Sequence, residues 1–348
     1  MNFSKYNQNN LLYSSFNQNN DCVVFGTTNG FYVYSLYPFK KIISRNIEGG
    51  ISIVKMLYKS NILVFVGNTK HGLYPNNKII IWDDSQKQVI GEISFKNQVK
   101  NVCLSKGNIV VILDKKIFIY NFKDLSMIQS IETFNNPNGL CHIIDENIIV
   151  YPSFHIGNIT IYNYTLDKHV IDIEAHKNEI ELFTIDTSNT YIASSSIKGT
   201  IIRIYNIKYG TLIKELRRGS NYIKIVDLKF SFNLKYLLCS SEKGTIHIYN
   251  IKLDENTELN TNYLSYFLPE YFNSEWSIIK FYMNTLSYSI FMKEDNQSNI
   301  DTNTNKIISI GNNGCIYNLS IDVKNHVGNI DTRYKFILNN ENPFEKTN

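Results

Sequence analysis

One short unit recurs seven times along the chain and restricts the fold more than any other feature. Each copy has a turn with Gly, Asn or Lys, then three to five alternating residues, then an aromatic residue followed by a short polar or small one. The aromatic anchors are Tyr34, Trp82, Tyr120, Tyr162, Tyr205, Tyr249 and Tyr317. A period of about 40 to 45 residues with several strands in each unit is typical of a β-propeller, whose blades are four-stranded sheets.

The sequence between the anchors favours strands throughout. Short β-branched and aromatic runs are bounded by Gly, Asn, Asp and Ser, and an apolar stripe at helical spacing is almost missing. Trp82-Asp83 is the only Trp-Asp dipeptide, and the other six units carry Tyr in place of Trp. We therefore predict an all-β fold, a single seven-bladed WD-repeat-like β-propeller over residues 1–348, with Trp82, Tyr120 and Tyr162 as core anchors.

The spacing between the last two anchors predicts insertions. Tyr249 and Tyr317 are 68 residues apart, about 25 more than one period. One insertion covers residues 253–274 and is rich in aromatic residues, and the other is polar and covers residues 294–305. We expect the second to be a disordered hairpin tip.

Composition narrows the classes of function. The net charge is only +4, which gives no reason to expect nucleic-acid binding. The five cysteines form no CxxC pair, so they predict buried thiols rather than a zinc site or disulfides. Neither a secretory leader nor an apolar run of membrane-spanning length is present in the sequence, and we expect a cytoplasmic protein.

Catalytic motifs are equally scarce. The sequence contains no G-x-S-x-G, H-E-x-x-H or Walker loop, and its seven histidines lack metal-ligand spacing. We therefore expect a binding protein, not an enzyme, without cofactor or metal.

The concentrated chemical signal is the segment Leu216-Arg217-Arg218-Gly219 at the end of a strand in the fifth blade. Consecutive residues of a strand point to opposite faces, so Arg217 and Arg218 must lie in two different grooves. Gly219 follows where the chain has to turn, and it leaves the approach to the second guanidinium open.

Similar side chains are expected to line both grooves. Lys198-Gly199-Thr200 in the fifth blade is copied as Lys243-Gly244-Thr245 in the sixth, and each copy lies near serines and a histidine. The fifth-blade copy has one extra residue before its polar end, which predicts a β-bulge that re-aims Arg203. Arg, His, Ser, Thr and a Gly-exposed N–H suit phosphate monoesters, so we favour two adjacent anion pockets.

Simpler interpretations of these residues stay open. Arg217 and Arg218 could be solvated charges paired with Glu215 or Glu242. His247 could pack between blades, with its ring hydrogen-bonded to a backbone carbonyl.

These motifs resemble the PROPPINs, the autophagy-related seven-bladed propellers that bind phosphoinositides. The similarity lies in Ala175-His176-Lys177, Lys198 to Arg203, Leu216 to Gly219 and Ser241 to His247, and it extends along most of the chain. The resemblance implies a first lipid site made of His176, Ser194, Ser196, Gly199, Thr200, Arg203 and Arg217. It implies a second lipid site made of Arg218, Gly219, Ser241, Thr245 and His247. The lipids of such proteins are phosphatidylinositol 3-phosphate and phosphatidylinositol 3,5-bisphosphate.

The resemblance also gives the first insertion a role, as a membrane-facing loop. The apolar residues expected to enter the membrane interface are Tyr263, Leu264, Tyr266, Phe267 and Leu268. The alternative is an ordered loop packed on its blade. The implied partners are phosphoinositide-bearing autophagosomal, endolysosomal or other organelle membranes, and autophagy proteins of the lipid-transfer or conjugation machinery. The rival hypothesis is a general WD-repeat scaffold for proteins, without lipid specificity.

Overall fold

The computed structural model describes residues 10–47, 49–72, 74–253, 275–293, 304–335 and 345–346. All regular secondary structure in these residues is β-strand, arranged in seven sheets, so the predicted all-β class is confirmed. The first three sheets belong to one compact unit and the last three belong to another.

The first unit contains sheets of four strands each. The strands of the first sheet are β1 (Leu11–Phe16), β2 (Cys22–Thr27), β3 (Gly30–Leu36) and β4 (Phe39–Asn46). Those of the second are β5 (Gly49–Met56), β6 (Ile62–Gly72), β7 (Lys78–Asp83) and β8 (Gln88–Ser94). Those of the third are β9 (Asn101–Leu104), β10 (Asn108–Ile112), β11 (Lys116–Asn121) and β12 (Met127–Glu132).

The fourth sheet also has four strands, namely β13 (His142–Asp145), β14 (Ile148–Pro152), β15 (Asn158–Asn163) and β16 (Lys168–Glu174).

The second unit contains sheets of five, four and five strands. The fifth sheet consists of β17 (Ile180–Ile185), β18 (Tyr191–Ser196), β19 (Ile201–Asn206), β20 (Leu212–Arg217) and β24 (Glu275–Trp276). The sixth consists of β21 (Ile225–Phe230), β22 (Tyr236–Ser241), β23 (Thr245–Asn250) and β25 (Ile279–Tyr282). The seventh consists of β26 (Ser287–Phe291), β27 (Thr304–Gly311), β28 (Cys315–Asp322), β29 (Val327–Lys335) and β30 (Glu345–Lys346).

The repeating unit of the sequence is the third strand of each sheet, and its aromatic anchor is buried in all seven cases. The prediction that Trp82, Tyr120 and Tyr162 are core residues is confirmed. In the fifth sheet the ladder between β19 and β20 shifts register between Ile204 and the anchor Tyr205, and the first three sheets shift at the same place. In these four sheets the ladder between the third and fourth strands is therefore irregular just before the buried aromatic anchor, where a bulge bends the fourth strand.

An apolar core lies between the fifth and sixth sheets. Leu216 of β20 and Ile202 of β19 pack in one cluster with Leu237 and Tyr249 of the sixth sheet. Leu216 is 0% exposed. Because residues two apart in a strand share a face, Lys214 lies on the same side of β20 as Leu216, the side of the sixth sheet.

The predicted bulge beside Arg203 is wrong. The ladder between β18 and β19 is regular from Tyr191 opposite Asn206 to Ser195 opposite Ile202. The ladder between β22 and β23 is equally regular, but there the third strand already begins at Thr245, whereas β19 begins at Ile201, one residue after Thr200. The extra residue of the fifth sheet therefore lengthens the hairpin turn, because a longer turn costs less than a broken ladder.

Most of the insertion at residues 253–274, including Tyr263, Leu264, Tyr266, Phe267 and Leu268, lies outside the described residues. Most of the segment at 294–305 does as well. No helix within the described part of the chain is long and apolar enough to cross a membrane.

All five cysteines are free thiols, but only Cys22, Cys239 and Cys315 are buried as expected. Cys103 and Cys141 are half-buried.

Asp186 holds the turn between the first two strands of the fifth sheet. Its buried carboxylate accepts hydrogen bonds from the backbone N–H groups of Ser188 (2.8 Å), Thr190 (2.8 Å) and Tyr191 (2.6 Å). Hydrogen bonds to a charged group contribute roughly 1.5–3 kcal/mol each. We expect Asp186→Ala to lower the free energy of unfolding by about 3 kcal/mol, measured by urea denaturation.

Asp124→Ala is the matched control, because Asp124 closes a similar turn with Ser126 at an exposed position. It should change the urea midpoint much less than Asp186→Ala. Equal midpoints for the two variants would contradict the structural role assigned to Asp186.

Candidate functional site

The end of β20 places its two arginines on opposite faces of the fifth sheet. Arg217 lies opposite Ile201 in the ladder, and Leu216 lies opposite Ile202. Because Leu216 is buried against the sixth sheet, Arg217 must face the other way and Arg218 must return to the side of the sixth sheet. The backbone N–H of Arg218 continues the pairing by donating to Thr200 O at 2.9 Å.

Arg218 is 7% exposed, so it is not the solvated strand-end charge of the simpler interpretation. Its Nε donates to Gly199 O at 2.8 Å and its Nη2 donates to Asn221 O. Nη1 makes no hydrogen bond to any residue that the structure describes. The guanidinium also acts electrostatically on His247 and Cys239 of the sixth sheet. Arg218 therefore lies on the side of the sixth sheet.

On the other face, a row of polar residues crosses three strands. Ser194, Arg203 and Glu215 lie opposite one another on β18, β19 and β20, two residues along from the row of Arg217. Arg203 Nε donates to Glu215 Oε2 at 2.9 Å, and its Nη1 donates to Ala175 O at 2.9 Å. Glu215 was not expected in this site, because the sequence analysis considered it only as a partner of Arg217 or Arg218. Its position two residues before Arg217 could have indicated that it shares this face.

His176 joins this row from the segment before β17. Its Nε2 lies 3.1 Å from Ser194 Oγ, and Ser194 itself is fully buried. Burial, assisted by the positive charge of Arg203, lowers the pKa of His176 to about 4. His176 is therefore neutral at pH 7, and Ser194 orients its ring rather than facing solvent.

His247 lies on β23 of the sixth sheet, at the position that Arg203 has on β19 of the fifth. It lies opposite Cys239 and Lys280, its ring is stacked on Tyr249, and its Nδ1 is 3.1 Å from Ser277 Oγ. Burial, with smaller effects of Lys280 and Arg218, lowers the pKa of His247 to about 4. The partner of this nitrogen is a side-chain hydroxyl, not the backbone carbonyl of the packing interpretation. Ser277 was not among the expected site residues.

The hairpin turn before β19 lies against the strand end of the arginines. Gly199 has φ +59°, and a Cβ there would lie 1.8 Å from Ile223 O, so only glycine fits. Thr200 O accepts from the N–H groups of both Arg218 and Gly219. Gly199 and Thr200, expected in the first site, thus contact two residues expected in the second.

The remaining expected residues surround the same turns. Ser196 ends β18 and Ser241 ends β22, and both are buried. Thr245 begins β23 and is half-buried. A Cβ at Gly219 would meet no atom of the described residues within 4 Å.

Two of the aromatic anchors tie the site backbone in place. Tyr205 Oη donates to Ala175 O at 2.9 Å, the same carbonyl that accepts from Arg203. Tyr249 Oη donates to Arg217 O at 3.2 Å. No group of three or more His, Cys, Asp or Glu side chains within the described ranges could hold a metal ion.

The family model described as PROPPIN matches residues 10–297, which is most of the chain. The chain belongs to the PROPPIN family. The resemblance inferred from the motifs is therefore confirmed, and the family match includes both candidate sites.

Similar proteins give the same result. The chain is 36% identical to autophagy-related protein 18e of Arabidopsis thaliana over 282 residues, which cover 78% of this chain and 75% of the relative. It is 33% identical to SVP1-like protein 2 of Schizosaccharomyces pombe over 248 residues, covering 70% and 68%. The structure of Kluyveromyces lactis Hsv2 superposes with a TM-score of 0.73 at 26% identity, covering 94% of this chain and 99% of that one. The predicted seven-bladed β-propeller is confirmed for this PROPPIN.

Two histidines with lowered pKa values, half-buried His176 and buried His247, make folding depend on pH. Each has a pKa of about 4 in the folded chain against an ordinary value of 6.5. The unfolded chain therefore binds more protons between about pH 4 and 6.5, and the free energy of unfolding falls as the pH drops through that range. We expect His176→Gln/His247→Gln to flatten this part of the profile, measured as the urea midpoint at a series of pH values.

His155→Gln, at an exposed histidine, is the control and should keep the wild-type slope. Asp227 acts in the opposite direction, because burial raises its pKa to about 6, but it contributes equally to all three proteins. A double variant with an unchanged slope between pH 4 and 6.5 would contradict the burial assigned to the two imidazoles.

Proposed function

We propose that this PROPPIN is a peripheral membrane protein that binds phosphatidylinositol 3-phosphate and phosphatidylinositol 3,5-bisphosphate at two adjacent sites. The observation that carries the proposal is the placement of Arg217 and Arg218 on opposite sides at the end of β20. A neutral histidine accompanies each side, half-buried His176 beside Arg203 and buried His247 near Arg218. One strand end then serves two headgroups.

The first site combines cations with neutral hydrogen-bonding groups. Arg217 and Arg203 lie on one face, and Arg203 shares its charge with Glu215 in an ion pair of 2.9 Å. Neutral His176 supplies a hydrogen bond but no net charge. A phosphate monoester carries nearly two negative charges at pH 7, so Arg217 provides the main charge complement. Such a pocket binds modestly by itself.

The second site depends on Arg218, whose backbone contacts fix the direction of its guanidinium. With Nε and Nη2 donating to carbonyl oxygens, the fork is held rigid and Nη1 remains for an anion. His247 and Lys280 flank it on the sixth sheet. Two modest sites that engage one membrane gain roughly 10² to 10⁴ in apparent affinity from their linkage.

The biological setting follows from the family. Relatives carry the names autophagy-related protein 18 and SVP1-like protein 2. We infer a binding scaffold rather than an enzyme, one that moves between the cytoplasm and autophagosomal, endolysosomal or other phosphoinositide-bearing membranes. There it would present autophagy proteins of the lipid-transfer or conjugation machinery. In the same proposal, the apolar residues within 253–274 enter the membrane beside the two sites.

Vesicle co-sedimentation tests the proposal. Arg217→Thr and Arg218→Thr should each weaken pelleting with phosphatidylinositol 3-phosphate vesicles by roughly 10- to 100-fold, the loss expected for a charge-assisted hydrogen bond. The double variant should stay in the supernatant. Vesicles with each of the seven phosphoinositides, and with unphosphorylated phosphatidylinositol, measure specificity.

Arg333→Thr removes the same charge from the seventh sheet, and Arg45→Thr/Arg333→Thr removes two charges without touching β20. Both control variants should pellet like the wild type. Because Arg218 is buried, a thermal melt must first show that its variants are folded. Undiminished pelleting of a folded double variant would overturn the proposal in favour of a protein-binding scaffold without lipid specificity.

A further inference from the structure

The fifth sheet carries an additional edge strand that comes from a distant part of the chain. β24 is the first described segment after residues 254–274, and it pairs in parallel with the end of β20. Its two residues, Glu275 and Trp276, lie opposite Leu216 and Arg217. The strand thus extends the row of Arg217 by one residue at the edge of the sheet.

The register fixes the direction of both side chains. Paired residues of neighbouring strands share a face, so Glu275 lies on the face of Leu216 and Trp276 on the face of Arg217. The ion pair between Glu275 and Lys214 of β20, at 2.9 Å, agrees with this assignment and holds the short strand in place. Lys214 also donates to Ile251 O at 3.1 Å, so it binds the chain on both sides of the 254–274 segment.

Trp276 is 48% exposed although it is one of only two tryptophans in the chain. The other, Trp82, is buried. An exposed indole at a fixed backbone position is unusual, because most tryptophans bury most of their large apolar surface. Tryptophan is enriched at protein interfaces and in membrane-interface belts, where one side of the ring is apolar and the other is wet.

The sixth sheet has an aromatic residue at the equivalent edge. Tyr282 of β25 lies opposite Thr245, shares a face with His247, and is 70% exposed. Lys280, also exposed, precedes it by two residues on the same face. Each candidate headgroup site therefore has an exposed aromatic side chain on the outermost strand of its own sheet.

We propose that Trp276, with Tyr282 as its counterpart, is a membrane-interface anchor that inserts its ring among the lipid headgroups while the neighbouring sites bind phosphate. The inference rests on the proposed function and adds rigid contacts that are distinct from the apolar residues of 254–274. Indole and phenol rings favour the headgroup region, where one side is apolar and the other is wet. Cations beside each ring suit an anionic lipid surface.

The placement on a paired strand has an energetic consequence. A loop must lose conformational freedom when it inserts, whereas Trp276 is already held by the ladder with β20 and by the ion pair of Glu275. The ring therefore enters the interface without an ordering cost for its backbone. The backbones of Trp276 and Arg217 are on neighbouring strands, which lie about 5 Å apart. The indole ring and the first lipid site therefore face the same patch of membrane.

The two-tryptophan composition allows a direct test with the full chain. Trp82→Tyr, which copies the anchor of the other six repeats, leaves Trp276 as the only tryptophan. Its emission should shift to shorter wavelength when phosphatidylinositol 3-phosphate vesicles are added, and lipids brominated near the headgroup should quench it. Trp276→Ala should weaken pelleting roughly 3- to 10-fold, and Trp276→Phe should restore most of the binding.

The matched control moves the indole to the opposite end of the same sheet. Tyr209, in the turn between β19 and β20, is 63% exposed and has Lys208 over its ring. In the variant Trp82→Tyr/Trp276→Phe/Tyr209→Trp, the emission should not shift on vesicle binding. A shift there equal to that of Trp276 would overturn the inference, because it would mean an unspecific effect of vesicles.

The outcomes separate this inference from the proposed function. If the Trp82→Tyr protein pellets with vesicles but Trp276 shows neither shift nor quenching, the anchor is refuted and lipid binding stands. Normal pelleting by Trp276→Ala would refute it as well. If no protein is recruited to any phosphoinositide vesicle, both proposals fail together.

Discussion

The burial of Leu216 is the constraint on which the candidate sites depend. Its side chain is fully buried between the fifth and sixth sheets. The register of β20 therefore cannot shift by one residue, because the shift would expose Leu216 and turn Arg217 into the apolar core. Because alternate residues change sides, this apolar contact determines that Arg217 and Arg218 diverge. The division of the two arginines between the candidate sites is therefore a result of core packing.

The same packing reaches the backbone through the aromatic anchors. Tyr205 and Tyr249 are buried for most of their length, yet their hydroxyls end at the carbonyl oxygens of Ala175 and Arg217. A buried carbonyl that lacks a partner costs free energy, so each hydroxyl both stabilises the core and fixes part of the site. The anchor that defines the repeat thus also positions the residues proposed to bind lipid.

Much of the fold can be predicted from the sequence, because two regular patterns are visible in it. Alternation within a strand and repetition of about 43 residues between anchors give the sheets, the buried aromatics and the divergence of Arg217 and Arg218. The failed bulge shows the limit of this reasoning. A count of residues cannot tell whether an extra one enters a ladder or a turn, and here it lengthened the turn at Thr200.

The residues that sequence reasoning missed are those set by pairing between distant segments. Glu215 faces Arg203 across a ladder, Ser277 meets His247 after a long insertion, and Trp276 joins the sheet of Arg217 from 59 positions further along the chain. No local pattern carries this information, because register between remote strands is decided by packing. The burial of individual polar residues could not be predicted either, because it also depends on packing between remote segments. Ser194 and Ser241 were expected in the lipid sites, and nothing in the sequence indicated that both are buried.

Charge balance gives a physical reason for the two sites of the proposed function. Each groove has one strand-end arginine and one histidine that burial keeps neutral, and on the first face Glu215 already neutralises Arg203. The first proposed site therefore offers little more than one positive charge to a phosphate monoester that carries nearly two, and the second offers Arg218 with Lys280 beside it. Desolvating a larger cluster of like charges would have destabilised the folded sheet. In the proposed function, the charge is divided between two faces, and simultaneous binding to a membrane with many headgroups compensates for the modest affinity of each site.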